Sequence, residues 1–247
     1  MATIQSSTSI LPGVSLRDAG GAAWLENGER MDQKTFHERY LKTPPDFRAE
    51  LIEGIVYVMS PLRIKHGRPD QRFSGVLFAY CAATPGVEGQ NNATTIMGEK
   101  TEPQPDSALL ILDEYGGQTR DGDDDYTHGA PELVIEVALS SRSIDLHAKF
   151  RDYERAGVCE YIVYDASKPE VHWFASEDGR FAPLPPDADG LIRSRVFPGL
   201  WLDPAAFLAN DKPALLVALG RGLASPEHAA FEAELQRRKA AHDAGRH

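Results

Sequence analysis

The run Leu133-Val134-Ile135-Glu136-Val137-Ala138-Leu139 limits the fold more tightly than any other part of the chain. It is short, rich in β-branched residues, entered through Pro131 and interrupted by a single carboxylate. Apolar runs of this length between turn signals suit a strand covered on both faces. Alternation along such a strand would put Val134, Glu136 and Ala138 on one face. A carboxylate there is costly unless something pairs with it. A divalent cation is the favoured partner, because hard ions such as Mg²⁺ bind one or two carboxylates and complete their shell with water and phosphate oxygens. A single Arg or Lys salt bridge would also satisfy Glu136.

The elements on either side can be read from periodicity and breakers. Asp32 is placed to cap a helix over Gln33 to Leu41, ended by Pro44 and Pro45. Ala49 to Met59, with Glu53-Gly54 at its centre, predicts a hairpin. Phe73, Val76, Leu77 and Tyr80 recur at three- and four-residue steps, predicting a helix between His66 and Ala83. Strands are expected near Thr94 to Met97, Ser107 to Leu112 and Glu132 to Leu139. A helix over Ser143 to Ala156 follows, stopped by Gly157, then a buried strand over Glu160 to Asp165. Beyond it, Val171 to Phe174 and Arg193 to Phe197 read as peripheral hairpins, Pro204 to Leu208 as a helical turn, and Pro226 to His247 as a solvated helix. The expected class is therefore mixed α/β: a central mixed β-sheet flanked by helices, with an N-terminal hairpin and peripheral C-terminal strands and helix. Residues 1–30 form a flexible lead-in, 31–210 one domain, and 211–247 a helical tail, with one metal site at a sheet edge.

Composition narrows the function classes. The formal net charge of -11 disfavours a passive nucleic-acid coat. The acid is uneven: Glu99 to Glu136 holds eleven Asp and Glu against Lys100 and Arg120, whereas Arg63, Lys65, Arg68 and Arg72 surround the single Asp70. That pattern suits a metal centre beside a basic strip, although solvated surface charge explains the strip equally well. No membrane span or secretory signal is expected, so the location read from the sequence is cytoplasmic. Cys81 and Cys159 are expected as buried free thiols. Asp121-Gly122-Asp123-Asp124-Asp125 lacks the ligand spacing of a calcium loop, and His128 and His147 have no second His at ligand spacing. Neither segment is a favoured metal site.

A second carboxylate, Asp106, opens the preceding strand directly after Pro105. From there the motifs run in order: Pro131-Glu132-Leu133-Val134-Ile135-Glu136-Val137, then Ser140, Asp145, Lys149 and Tyr153, then Ala156-Gly157-Val158-Cys159-Glu160-Tyr161-Ile162-Val163-Tyr164-Asp165. Upstream stand Glu50-Leu51-Ile52-Glu53-Gly54, Met59-Ser60-Pro61 and His66, and downstream Phe197-Pro198-Gly199-Leu200. This series, spanning roughly Asp32 to Leu208, resembles the Uma family of endonucleases within the restriction-endonuclease-like PD-(D/E)XK superfamily. That superfamily often places a lysine two residues after the strand glutamate, where this chain has Ala138. The resemblance implies a lysine that has moved to the following helix, Lys149, whose long stem could reach back to the strand end. One departure is Ala138-Leu139-Ser140-Ser141, where the family tends to a Leu-Ser-Pro-like turn, which bears on the shape of that loop.

What the resemblance implies is phosphodiester hydrolysis by metal-activated water. Asp106 and Glu136 would hold Mg²⁺, with Mn²⁺ as substitute, and Lys149 would orient water or stabilise charge. Glu50 would be a further metal-side carboxylate and His66 a phosphate or water contact. DNA is the expected substrate, and a homodimer would supply two sites for two strands by fold-level analogy. Two alternatives stand beside it. One is a catalytically inactive binding or regulatory module of the same fold, and the other a metal-free acid and base pair of carboxylates.

Overall fold

The computed structural model describes residues 24–59, 64–139 and 144–245. Most of the expected lead-in lies outside them, as do Ser60, Pro61, Arg63 and Ser140. In chain order the elements are α1 (Gln33–Tyr40), β1 (Ala49–Ile52), β2 (Ile55–Val58), α2 (Ile64–Ala83), β3 (Val87–Asn91), β4 (Thr95–Ile96), β5 (Ser107–Ile111), β6 (Arg120–Asp121), β7 (Thr127–His128) and β8 (Leu133–Ala138). A π-helix (Ile144–Lys149) then runs into α3 (Phe150–Ala156). The remainder comprises β9 (Glu160–Asp165), β10 (Glu170–Glu177), β11 (Arg180–Pro183), β12 (Ile192–Arg193), β13 (Trp201–Leu202), α4 (Pro204–Ala209), α5 (Lys212–Leu223) and α6 (Pro226–Gly245).

Six strands form the central sheet in the order β11-β10-β9-β8-β5-β3. It is mixed: β8 pairs β9 in parallel, while β5 is antiparallel to both β8 and β3. Parallel neighbours need a crossover, and the π-helix with α3 provides it. The two faces of β8 divide the core. Leu133, Ile135 and Val137 join the cluster under α2 with Phe73, Leu77 and Tyr80. Val134 and Ala138 join a second cluster with Tyr153, Tyr161 and Val163. Glu136 therefore lies on the α3 face. A mixed α/β fold with a central sheet flanked by helices is what the periodicity predicts.

Local signals explain most element ends. Asp32 Oδ1 accepts from Thr35 N–H at 2.7 Å and starts α1. Glu53 and Gly54, both at positive φ (52° and 72°), form the two-residue turn between β1 and β2, the backbone that a right-twisted hairpin favours. Gly157, at φ 93°, closes α3.

Several expectations change on folding. Val87–Asn91 carries little apolar signal because it is an edge strand with exposed residues, yet it completes the sheet. Thr95–Ile96 belongs not to that sheet but to a small one with β6 and β7. Val171 to Phe174 is part of an eight-residue strand inside the central sheet rather than a peripheral hairpin. α5 carries no counterpart in the expected elements, and it buries Leu215 and Leu219 in the main core, to which α6 adds Leu235. The two cysteines are free and half-buried. Among the described residues, no helix is long and apolar enough to cross a membrane.

A second buried carboxylate shows how the sheet tolerates charge. Glu160 at the start of β9 is fully buried and takes four donors: Arg195 N–H and Val196 N–H on Oε1, Ser194 hydroxyl and Trp173 indole N–H on Oε2. Both oxygens face donors, so an amide at this position must aim its NH₂ at one of them. Glu160→Gln is therefore expected to destabilise the fold by about 1–3 kcal/mol. Denaturant unfolding of the variant checks this, and an unchanged midpoint would refute it.

Candidate active site

The site is built at one end of the interior strands β5 and β8, not at a sheet edge. The register of β5 and β8 runs to Ser107 opposite Ile135, and one further step sets Asp106 opposite Glu136. Directly facing residues of an antiparallel pair hold their Cβ atoms about 4.5–5.5 Å apart. Asp106 Oδ2 accepts from Val137 N–H at 2.7 Å, fixing the carboxylate against β8 where the regular ladder ends.

From the other side the π-helix and α3 contribute Asp145, Lys149 and Tyr153, spaced by four and so on one stripe. π-helical turns often occur at functional sites. Lys149 Nζ lies 2.9 Å from Glu136 Oε1, 2.9 Å from Glu50 Oε2 and 3.9 Å from Asp145 Oδ1. Tyr153 hydroxyl donates to Glu136 Oε1 at 2.7 Å. Glu50 arrives on β1, and its Oε1 also accepts from Gln104 N–H at 2.7 Å. His66, on the first turn of α2, places Nε2 3.1 Å from Asp106 Oδ2. The fold thus gathers Asp106, Glu136, Lys149, Glu50 and His66 in one buried cluster. It adds three residues for which the sequence reading proposed no role: Tyr153, Asp145 and Asp70. The four-residue step from Lys149 was the available signal for Asp145 and Tyr153. Asp70 lies one helical turn after His66 and accepts from Ser107 hydroxyl at 3.4 Å.

Acid exceeds base in this cluster, and the proton affinities follow. Burial pushes the Glu136 carboxyl well above the ordinary range, and although Lys149 opposes this, Asp106, Asp145 and Glu50 add to it. Burial alone would lower the Lys149 ammonium, but Glu136, Glu50 and Asp145 more than offset it and hold the group protonated well above its usual range. Burial would also lower His66, yet its bond to Asp106 and the charges of Asp70 and Asp145 raise it instead. Burial and the Glu136 charge keep Tyr153 a neutral phenol, able to donate. The common direction is a site that attracts positive charge.

The spare acceptors indicate where a cation fits. Glu136 uses Oε1 for Lys149 and Tyr153, and Asp106 uses Oδ2 for Val137 and His66. Among the described residues the second oxygen of each carboxylate accepts no hydrogen bond, and buried His66 Nδ1 also lacks a partner. Among the same residues, no group of three or more His, Cys, Asp or Glu is placed so that it could hold a metal ion by itself. Two hard-oxygen ligands beside unfilled positions suit Mg²⁺, which retains waters and takes substrate phosphate oxygens. The Asp121 to Asp125 loop offers no rival, since Asp124 is engaged by His128 Nε2 at 3.0 Å.

A family model described as "Putative restriction endonuclease", Uma2, matches residues 34–205. The chain belongs to the Uma2 family. The matched span carries every residue of the cluster, from Glu50 to Tyr153. Among solved structures, Uma2-family membership is accompanied by a fold likeness to the crystal structure titled "a putative nuclease belonging to DUF820" from Anabaena variabilis ATCC 29413. That likeness has a TM-score of 0.53 at 17% identity and covers 69% of this chain and 97% of the other. At that identity the likeness establishes the fold alone, a nuclease-like one. No curated protein matches this Uma2 chain.

Proposed function

We propose that the chain is a metal-dependent endonuclease that hydrolyses phosphodiester bonds of DNA. The observation that carries this reading is the buried Lys149 ammonium shared by Glu136 and Glu50, beside an Asp106 whose carboxylate is bonded to Val137 N–H, the residue next to Glu136. In a chain of a restriction endonuclease family, that set supplies two metal-side carboxylates and one fixed cation.

Asp106 and Glu136 would hold the ion through their unengaged oxygens. Bound Mg²⁺ would lower the pKa of attacking water and offset charge on the phosphoryl oxygens. Lys149, kept protonated by its carboxylates, serves as a hydrogen-bond donor and positive charge rather than as a base. Glu50 and Tyr153 act as positioning residues: one anchors the ammonium, and the other fixes Glu136 Oε1 so that Oε2 remains for the ion. His66 holds Asp106 through Nε2 and leaves Nδ1 to meet water or phosphate.

The test is cleavage of supercoiled plasmid. Nicked or linear product is expected with Mg²⁺ or Mn²⁺ and none in EDTA. Failure to cut duplex or single-stranded DNA with either ion would reject the reading. One observation favours a second reading, a binding module without turnover: the ammonium is already fully engaged by carboxylates. DNA binding without cleavage by the purified protein would select that module.

A further inference from the structure

α2 extends beyond His66, and its next turns border a separate feature. Gly67, Arg68, Gln71 and Arg72, with Asn210 and Lys212, line an open cleft of about 500 Å³. Its cations contrast with those that the fold engages in ion pairs. Arg151, Arg180, Arg195 and Arg238 all pair with carboxylates. Among the described residues Arg68, Arg72 and Lys212 form no such pair. Arg72 is nevertheless held in place: its guanidinium lies 4.4 Å from the Phe207 ring centroid and Nη1 donates to Asn210 Oδ1 at 3.1 Å. Its Nε is buried with no partner among the described residues. A planar guanidinium fixed by stacking, with no carboxylate partner, is prepared for an external anion, and guanidinium geometry matches phosphate. In a chain of net charge -11, the cleft gathers three cations and no carboxylate in its lining.

We infer that this cleft receives the sugar-phosphate backbone of duplex DNA beside the scissile bond. The inference rests on the DNA-cleaving reading above and specifies where its substrate lies. Arg72 is six residues beyond His66, about 9 Å along α2 at roughly 1.5 Å per residue. At about 3.4 Å per nucleotide step along one strand, a backbone entering the cleft reaches His66 and Asp106 within two or three nucleotides. The one helix would thus carry both a contact to the reacting end and the rail that aligns the strand.

The experiment is fluorescence anisotropy of a labelled 20-base-pair duplex in EDTA across a range of NaCl concentrations. It uses wild type, Arg68→Glu/Lys212→Glu, Arg72→Met and a control, Arg237→Glu/Lys239→Glu. The control lies on α6, which packs on the turn after β5, at the opposite end of that strand from Asp106. Arg68 and Lys212 are exposed, so their reversal leaves the core intact. Methionine at position 72 keeps apolar contact with Phe207 while removing the charge.

The double reversal is expected to weaken binding at least tenfold and to flatten the slope of log K against log[NaCl] by about 2. Arg72→Met should flatten it by about 1, and the control should stay within twofold of wild type. Wild-type-like binding by the cleft variants, equal weakening by the control, or no duplex binding by wild type would each overturn the inference. Because binding is read without metal, the result is separate from catalysis. Binding through the cleft with no cleavage under any ion would sink the nuclease reading and leave the cleft standing. Cleavage with unaffected binding by the variants would do the reverse.

Discussion

Replacing Lys149 with methionine is expected to abolish DNA cleavage and to destabilise the protein by about 3–5 kcal/mol. Lys149 is 3% exposed, and its ammonium lies within ion-pair reach of three buried carboxylates, Glu136, Glu50 and Asp145. Removing one member of a buried ion pair leaves uncompensated charge in a poorly polarisable environment, which costs more than the pair itself contributed. For a domain of this size each kcal/mol lowers Tm by roughly 2–4 °C, so a fall of roughly 6–20 °C should appear in a thermal melt. The cause can be isolated. Adding Glu136→Gln to Lys149→Met removes one of the stranded charges and should recover part of the lost stability without restoring cleavage. A Lys149→Met protein that melts with wild type would show that the cluster is not the buried ion network described above.

Asp106→Asn should separate chemistry from folding. The asparagine carbonyl can still accept from Val137 N–H, so the end of β8 stays tied to β5 and stability should stay within about 1 kcal/mol of wild type. The charge and the anionic oxygen offered to a metal ion are lost, and the cleavage rate should fall by about 10²–10³-fold or more. Single-turnover cleavage at saturating Mg²⁺, with a melt run in parallel, reads both quantities. Equal rates for wild type and Asp106→Asn would remove this residue from the site. A large drop in Tm would instead assign it to the fold.

The contrast between Glu136 and Glu160 shows why buried carboxylates in one sheet can serve different ends. Glu160 is surrounded by donors that fill both oxygens, and nothing in its surroundings calls for a further ligand. Glu136 has two donors on one oxygen, one of them the Lys149 ammonium, and three other acids nearby, so acid outnumbers base around it. In sequence the two look alike, each an acid in or beside an apolar strand. The strand alone states the cost of burying the charge; the neighbours that meet it are contributed by other parts of the chain.

What the sequence determined by itself is the set of local structures and the residues whose burial demands an explanation. The Asp32 cap, the Glu53-Gly54 turn, the helical step of Phe73, Val76, Leu77 and Tyr80, and the Glu160 to Asp165 strand depend on backbone preference and period within a few residues. Asp106 and Glu136 could be singled out because one opens a strand and the other interrupts an apolar run. Edge strand β3 and helix α5 are not legible locally, because an exposed edge carries no alternation and α5 follows two breaks at Asn210 and Asp211. Only the tertiary structure decided that Asp106 is tied to β8 beside Glu136, that Lys149 reaches both Glu136 and Glu50, and that Tyr153 ends on the same Glu136 oxygen. These meetings depend on the β5–β8 register and on the crossover joining parallel β8 and β9. Pairings between strands far apart in the chain are selected by how the whole core packs, and no local window of residues carries that information.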